Sequence, residues 1–274
     1  MGFGFGFGFS AAVMGAEAGA YTFTNAEAAA LVARFSAPPS AARKTLIDAL
    51  VGTLKTAGVW AKLDALYLLA AADEQAGCRN WIADQYNVTP VLAPAFTADR
   101  GFQGDGVNSY LRTGFVPSVA AGKFALNSAH LGAWSLTDNQ SNGALIGARV
   151  SFVSKSSMIV PRDGSNLSYV AVNFAGAGSY TVADSLGHFV VNRSGAAAQE
   201  GYKDGASTYT SGASAVDALT DLEVYGLALN QAGAAGARTN RRVAAMHIGG
   251  SLTAGEVASF RAALLAYMQG VGAA

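Results

Sequence analysis

The chain has 274 residues, enough to bury a full hydrophobic core as one large or two small domains. Its 18 lysines and arginines balance 18 aspartates and glutamates, so no net field recruits nucleic acid or an anionic membrane. Charged residues are only 13% of the chain, about half the usual share of roughly 25%.

So low a charge suits a surface partly covered by neighbours in an assembly, and it equally suits a plain Gly/Ala-rich composition. Cys78 is the only cysteine, which excludes an intrachain disulfide and a cysteine-based zinc site. The longest apolar run, Ala65 to Ala72, is far short of the roughly 20 residues a membrane helix needs.

In chain order, residues 2 to 9 read GFGFGFGF. A strand would gather Phe3, Phe5, Phe7 and Phe9 on one face and leave bare backbone on the other. Glycine disfavours an isolated strand, and four exposed Phe would cost roughly 1.5 to 3 kcal/mol each, so the segment reads as an assembly strand docked on a partner. No Lys or Arg precedes Arg34 and glycine interrupts the apolar stretch, which argues against a cleaved signal peptide.

Asn25 is placed to cap a helix over residues 26–35 that Pro38-Pro39 stops. Ser40 caps a second helix, with Leu46, Ile47, Leu50, Val51 and Leu54 at helical spacing and Gly58 as terminator. KLDALYLLAA reads equally as a buried helix or a core strand. From Asn87 onward short β-rich runs alternate with Gly, Asn, Asp and Ser clusters such as Asp163-Gly164, which predicts an all-β sandwich. Residues 231–240 read as a Gly/Ala-rich mobile loop. A closing helix after Thr253 lines up Val257, Phe260, Leu264, Leu265 and Met268 for packing on the sandwich.

Catalytic chemistry finds little support. Retaining glycoside cleavage needs two carboxyls about 5 to 5.5 Å apart. The nearest pair is Asp221 and Glu223 in DLEVYG, roughly 6.5 to 7 Å apart if both face one side of a strand. His130, His188 and His247 each fall in an expected strand. Three imidazoles meeting across a sandwich would bind zinc, but their neighbours (Val190 and Asn192 beside His188, Trp134 beside His130) favour separate, satisfied or surface histidines. No catalytic residue, metal ligand or cofactor is therefore expected. Sugar binding is open: Asp138-Asn139-Gln140, Asp163 to Asn166 and Tyr209 are groups a lectin loop uses, though turns use them too. Asp105 and Tyr110 are expected to shape a turn, and the ligand-binding loop stays unassigned.

Three motifs, FQGDGVNSYLRTGF, GHFVVNRSGAAAQEGYKDGAS and AAMHIGGSLTAGEVASFRAALLAY, occur in an order that resembles laminin-G-like, concanavalin A-like jelly rolls. The run from ARFSAPPSAARK to GCRNW, followed by FTADRGFQGDG, is similar to a leader of tailed-bacteriophage and prophage virion proteins that carry such a jelly roll. That resemblance implies a mainly β protein with a Gly/Phe anchor (1–25), a helical leader (26–86) and a laminin-G-like jelly roll (87–274) ending in a helix.

It also implies a virion structural or attachment protein, a tail-fibre or spike component, made in the bacterial cytoplasm and carried on the particle. The partners so implied are other virion proteins, further copies of the chain (a trimer among the forms) and a host-surface glycan, with no nucleic acid and no membrane insertion. A purely structural capsid or tail decoration protein is the alternative, and a polysaccharide-degrading enzyme of the same fold the third reading.

Overall fold

The computed structural model describes residues 1–2, 21–151, 153–212 and 218–274. The assembly strand expected at Phe3, Phe5, Phe7 and Phe9 lies outside them. Two antiparallel sheets face each other, and a layer of helices covers the outer face of one.

Sheet A runs β13 (Ala206–Ser211), β12 (Ala198–Lys203), β11 (Gly187–Gly195), β6 (Ala129–Ser135), β17 (Arg242–Gly249), β4 (Gly101–Gln103) and β3 (Ala95–Thr97), and β1 (Leu63–Leu68) also pairs with β17. Sheet B runs β10 (Gly178–Thr181), β9 (Leu167–Phe174), β8 (Ser154–Val160), β7 (Ile146–Ser151), β14 (Tyr225–Gly226), β5 (Tyr110–Arg112) and β2 (Thr89–Val91). A hairpin of β15 (Leu229–Gln231) and β16 (Ala234–Gly236) joins it through β7. The helices are α1 (Ala26–Val32), α2 (Ala41–Thr56), the single turns α3 (Glu74–Gly77) and α4 (Pro117–Ala120), and α5 (Ala254–Gly270). The chain is thus a mainly β, concanavalin A-like jelly-roll sandwich, as expected.

Local chemistry explains the elements. Ser40 Oγ accepts from the Arg43 amide and starts α2, whose Ile47, Leu50, Val51 and Leu54 are buried. Leu46 stays at the edge. At Gly58 the chain takes a φ of 73°, which only glycine adopts freely, and turns away from the helix. Thr253 and Glu256 form a reciprocal capping box at the start of α5. Val257, Phe260, Leu264 and Met268 are buried as expected, but Ala263 and Tyr267 join them where Leu265 was expected. Asp204 and Gly205, both at positive φ, turn β12 into β13.

Two cores result. One lies between the sheets, around Phe102, Leu131, Phe189, Ile159 and Val170. The other lies between sheet A and the helices, and joins Leu31, Val51 and Phe260 to Trp134, Val190 and Ala245. The ambiguous KLDALYLLAA is β1. Its Ala65 and Tyr67 enter the first core, and Leu66 and Leu68 the second. Burial on both faces erases the period-2 pattern, which is why the stretch read equally as helix.

Three expectations change. The 26–86 segment is not packed as a separate leader: it supplies a strand to sheet A and two helices to a shared core, so residue 87 does not divide two cores. The first helix ends at Val32 rather than Phe35, and Asn25 offers it no side-chain cap because its amide is drawn to Asp48. The loop expected at residues 231–240 contains β16, whose hydrogen bonds to β15 order it.

Candidate functional site

The outer face of sheet B carries a groove of about 520 Å³. Its floor is apolar. Met158 and Val160 from β8, Ala171 from β9 and Leu229 from β15 form a small hydrophobic cluster separate from both cores. Strand alternation produces it, because Ile159 and Val170 between these residues point into the sandwich. Polar groups ring the floor: Arg149 from β7, Asn142, Asp163 and Tyr169.

The rim is built from the turn joining β8 to β9. Asp163 Oδ1 accepts from the Ser165 and Leu167 amides at 2.7 and 2.8 Å, and Tyr169 donates its hydroxyl to Oδ2 at 3.2 Å. These bonds, the Leu167 amide first, hold the Asp163 carboxyl below its usual range despite burial, so the rim carries a fixed negative charge. Burial, followed by the field of Asp163, raises the Tyr169 phenol, which stays a neutral donor with an aromatic face. Arg149 is 9% exposed, and desolvation lowers its guanidinium from the usual range while leaving it a cation.

One edge is locked by a residue the sequence reading passed over. Arg241 is fully buried and donates to the carbonyls of Gly143, Asn139, Ser141 and Arg162 at 3.0, 2.8, 3.1 and 2.7 Å. Burial pushes it down to about 10, still protonated near neutrality. Arg162 binds Asp138 at 2.9 Å and Asn166 at 2.7 Å, and Gln140 reaches Asn166 at 2.8 Å. The 138–140 and 163–166 loops nominated from sequence therefore meet at the groove's edge. The signal available was only a cation next to β17; its partners lie about a hundred residues away.

Other nominated residues are elsewhere. Tyr209 packs over Gly178, where a Cβ would fall 2.1 Å from its ring, and so belongs to the sandwich wall. Asp105 accepts from the Val107, Asn108 and Ser109 amides and shapes a turn, as expected; Tyr110 packs at a tilt against Tyr225, ring centres 4.8 Å apart. Asp221 and Glu223 do not share a strand face, because β14 begins at Tyr225. Both Glu223 oxygens are occupied, one by Arg112 at 2.9 and 2.7 Å and the other by the Gly114 amide at 2.7 Å. It is a strut between β5 and β14.

Cys78 has its thiol pushed up to about 12 by burial, which suppresses the reactive thiolate. The three histidines, expected apart, touch one another beneath α5. Among the described residues no group of three or more His, Cys, Asp or Glu is placed to hold a metal ion. A larger trough of about 840 Å³ runs over α2 and α5, but small side chains such as Ala49, Gly52 and Ala262 line it and its carboxylate, Asp48, is fully engaged.

The fold defines a jelly-roll sandwich. No family model matches the chain, and no curated protein matches it in sequence. Among solved structures it is similar to domain 4 of AbnA, a GH43 extracellular arabinanase from Geobacillus stearothermophilus, in complex with arabinotriose. The TM-score is 0.51 and the identity 15%, over 73% of this chain and 98% of that one. It is also similar to a mutant of Trypanosoma rangeli sialidase displaying trans-sialidase activity, with a TM-score of 0.51 and 15% identity over 82% of this chain. That match spans 39% of the sialidase chain. Similarity at this level establishes the fold.

Proposed function

We propose that this chain is a non-enzymatic attachment protein of a phage-type virion that holds a host-surface glycan in the groove on sheet B. The observation that carries this reading is the groove itself: an apolar floor, the Tyr169 ring, and converging Arg149, Asp163 and Asn142 on a rim fixed by Arg241. Sugars present one apolar face and a ring of hydroxyls, and such a site satisfies both. The AbnA domain, solved with arabinotriose, supports a jelly roll of this size as a sugar-binding frame. The virion setting rests on the similarity of the leader to that of tailed-bacteriophage and prophage virion proteins, which implies the Gly/Phe anchor. The absence of catalysis rests on Glu223, whose oxygens are both engaged, and on Asp221 lying off the strand.

A glycan array probed with the full chain tests the reading. Wild type is expected to bind a defined set of glycans, and Tyr169→Ala to weaken that binding about tenfold, the loss of one stacking contact of roughly 1.4 kcal/mol. An empty array, or binding unchanged by Tyr169→Ala, overturns it. The low charged fraction favours the second reading, a decoration protein covered by neighbours, and mass spectrometry of purified particles separates either from a protein outside the virion.

A further inference from the structure

His130, His188 and His247 sit on β6, β11 and β17, three adjacent strands of sheet A, and all three are fully buried on its outer face. His247 lies opposite Gly132 in the register, and a Cβ at Gly132 would fall 2.0 Å from its ring. The missing side chain lets His247 cross over β6 and meet His188, Nε2 to Nε2, at 2.7 Å. The His247 ring centre is 5.0 Å from both other imidazoles. Phe260 of α5 closes the stack 4.4 Å from His247, and Trp134 lies parallel to His188 at 5.8 Å. His130 Nδ1 meets the Gly250 carbonyl, while His130 Nε2, His188 Nδ1 and His247 Nδ1 have no partner.

The contact between His188 and His247 constrains protonation. A hydrogen bond between two imidazole nitrogens needs one proton and one lone pair, so it cannot survive with both rings charged. Burial first, then mutual repulsion, opposes charging. Burial lowers His130 to about 4; burial followed by the field of His130 lowers His188 to about 3 and holds His247 well below the usual imidazole range. Lys62 and Arg261 add positive field, and Glu256 opposes it at His130. Asp204 accepts from the His188 amide and pairs with Arg261 at 3.5 Å.

We propose that the histidine stack is an acid-released latch, whose protonation frees α5 and the helices packed on it from sheet A while the sandwich stays folded. The stack lies wholly in the helix–sheet core and not between the sheets. Because α5 follows the last strand, its departure breaks no strand pairing. The sign is fixed by linkage: histidines with depressed folded pKa values leave the latch intact above the unfolded value of about 6.5. They weaken it as pH falls from there toward 4. Release uncovers the apolar outer face around Trp134, Val190 and Ala245.

Hydrogen exchange on the full chain tests this. Between pH 6.5 and 4.5, protection of the α5 peptide is expected to fall at least about 100-fold while β8 and β9 keep theirs. The drop is expected to flatten in His188→Gln/His247→Gln and to persist in Glu256→Gln, which removes the other acid-titrating group at the helix. Simultaneous loss of α5 and β8–β9 protection overturns the latch, as does a drop that survives in the histidine variant or vanishes with Glu256→Gln. If the histidine variant does not fold, an NMR titration of the wild-type imidazoles decides. At least two must gain protons across the α5 transition, and histidines that stay neutral through it refute the proposal.

Discussion

Asp48 shows how one carboxylate can fix the entry of a chain. It is 5% exposed on α2 and accepts from the Thr24 amide at 2.7 Å, the Asn25 amide at 2.9 Å and the Tyr21 hydroxyl at 3.3 Å. Burial alone would raise its pKa, but these donors outweigh it and hold the carboxyl below the usual range. Asp48→Ala removes the acceptor and strands two amides, which is expected to cost about 2 kcal/mol in urea unfolding. The stabilisation is present above the unfolded carboxylate value of about 4 and is lost as pH falls through the folded one, so wild type and variant should converge in acid. A constant difference down to pH 2 would assign the effect to packing instead.

At the scale of elements, α5 is the part whose ends and faces are most fully specified. Thr253 Oγ1 accepts from the Glu256 amide at 3.2 Å, and the Glu256 carboxylate returns the bond to the Thr253 amide at 2.7 Å and binds Lys62 at 2.6 Å. Thr253→Ala is expected to destabilise the protein by about 1 kcal/mol, read as a shift in the denaturant midpoint with an unchanged slope. A change in slope would show that α5 unfolds apart from the sheet. The short strands obey a similar local logic. The run LEVYGLALN is one strand in pattern but two in fact, because Leu227 takes a φ of 59° and separates β14 from β15. A positive φ at leucine leaves no trace in composition.

At the scale of the whole molecule, the two cores share sheet A, and the 26–86 segment contributes to both. A fragment of residues 87–274 lacks β1, which pairs with β17 and places Ala65 and Tyr67 in the core between the sheets, so it is expected to lose its cooperative thermal transition by circular dichroism. A fragment melting as sharply and as high as the full chain would make the helices a separate module.

Much of this protein is determined by its sequence alone. Period-3.6 apolar spacing and the Ser40 and Thr253 caps define α2 and α5, and Asp-Gly pairs at 163 and 204 define hairpin turns, because these signals act within a few residues. The groove was partly legible, since two of its loops were named from their turn residues. Tertiary structure alone decided the rest. Arg241 draws together carbonyls from two distant segments, 139–143 and Arg162, β1 loses its alternation through burial on both faces, and Gly132 opens the space in which His247 reaches His188. Each of these depends on which strands become neighbours, and pairing between residues far apart in the chain is set by the free energy of the whole core rather than by any local pattern.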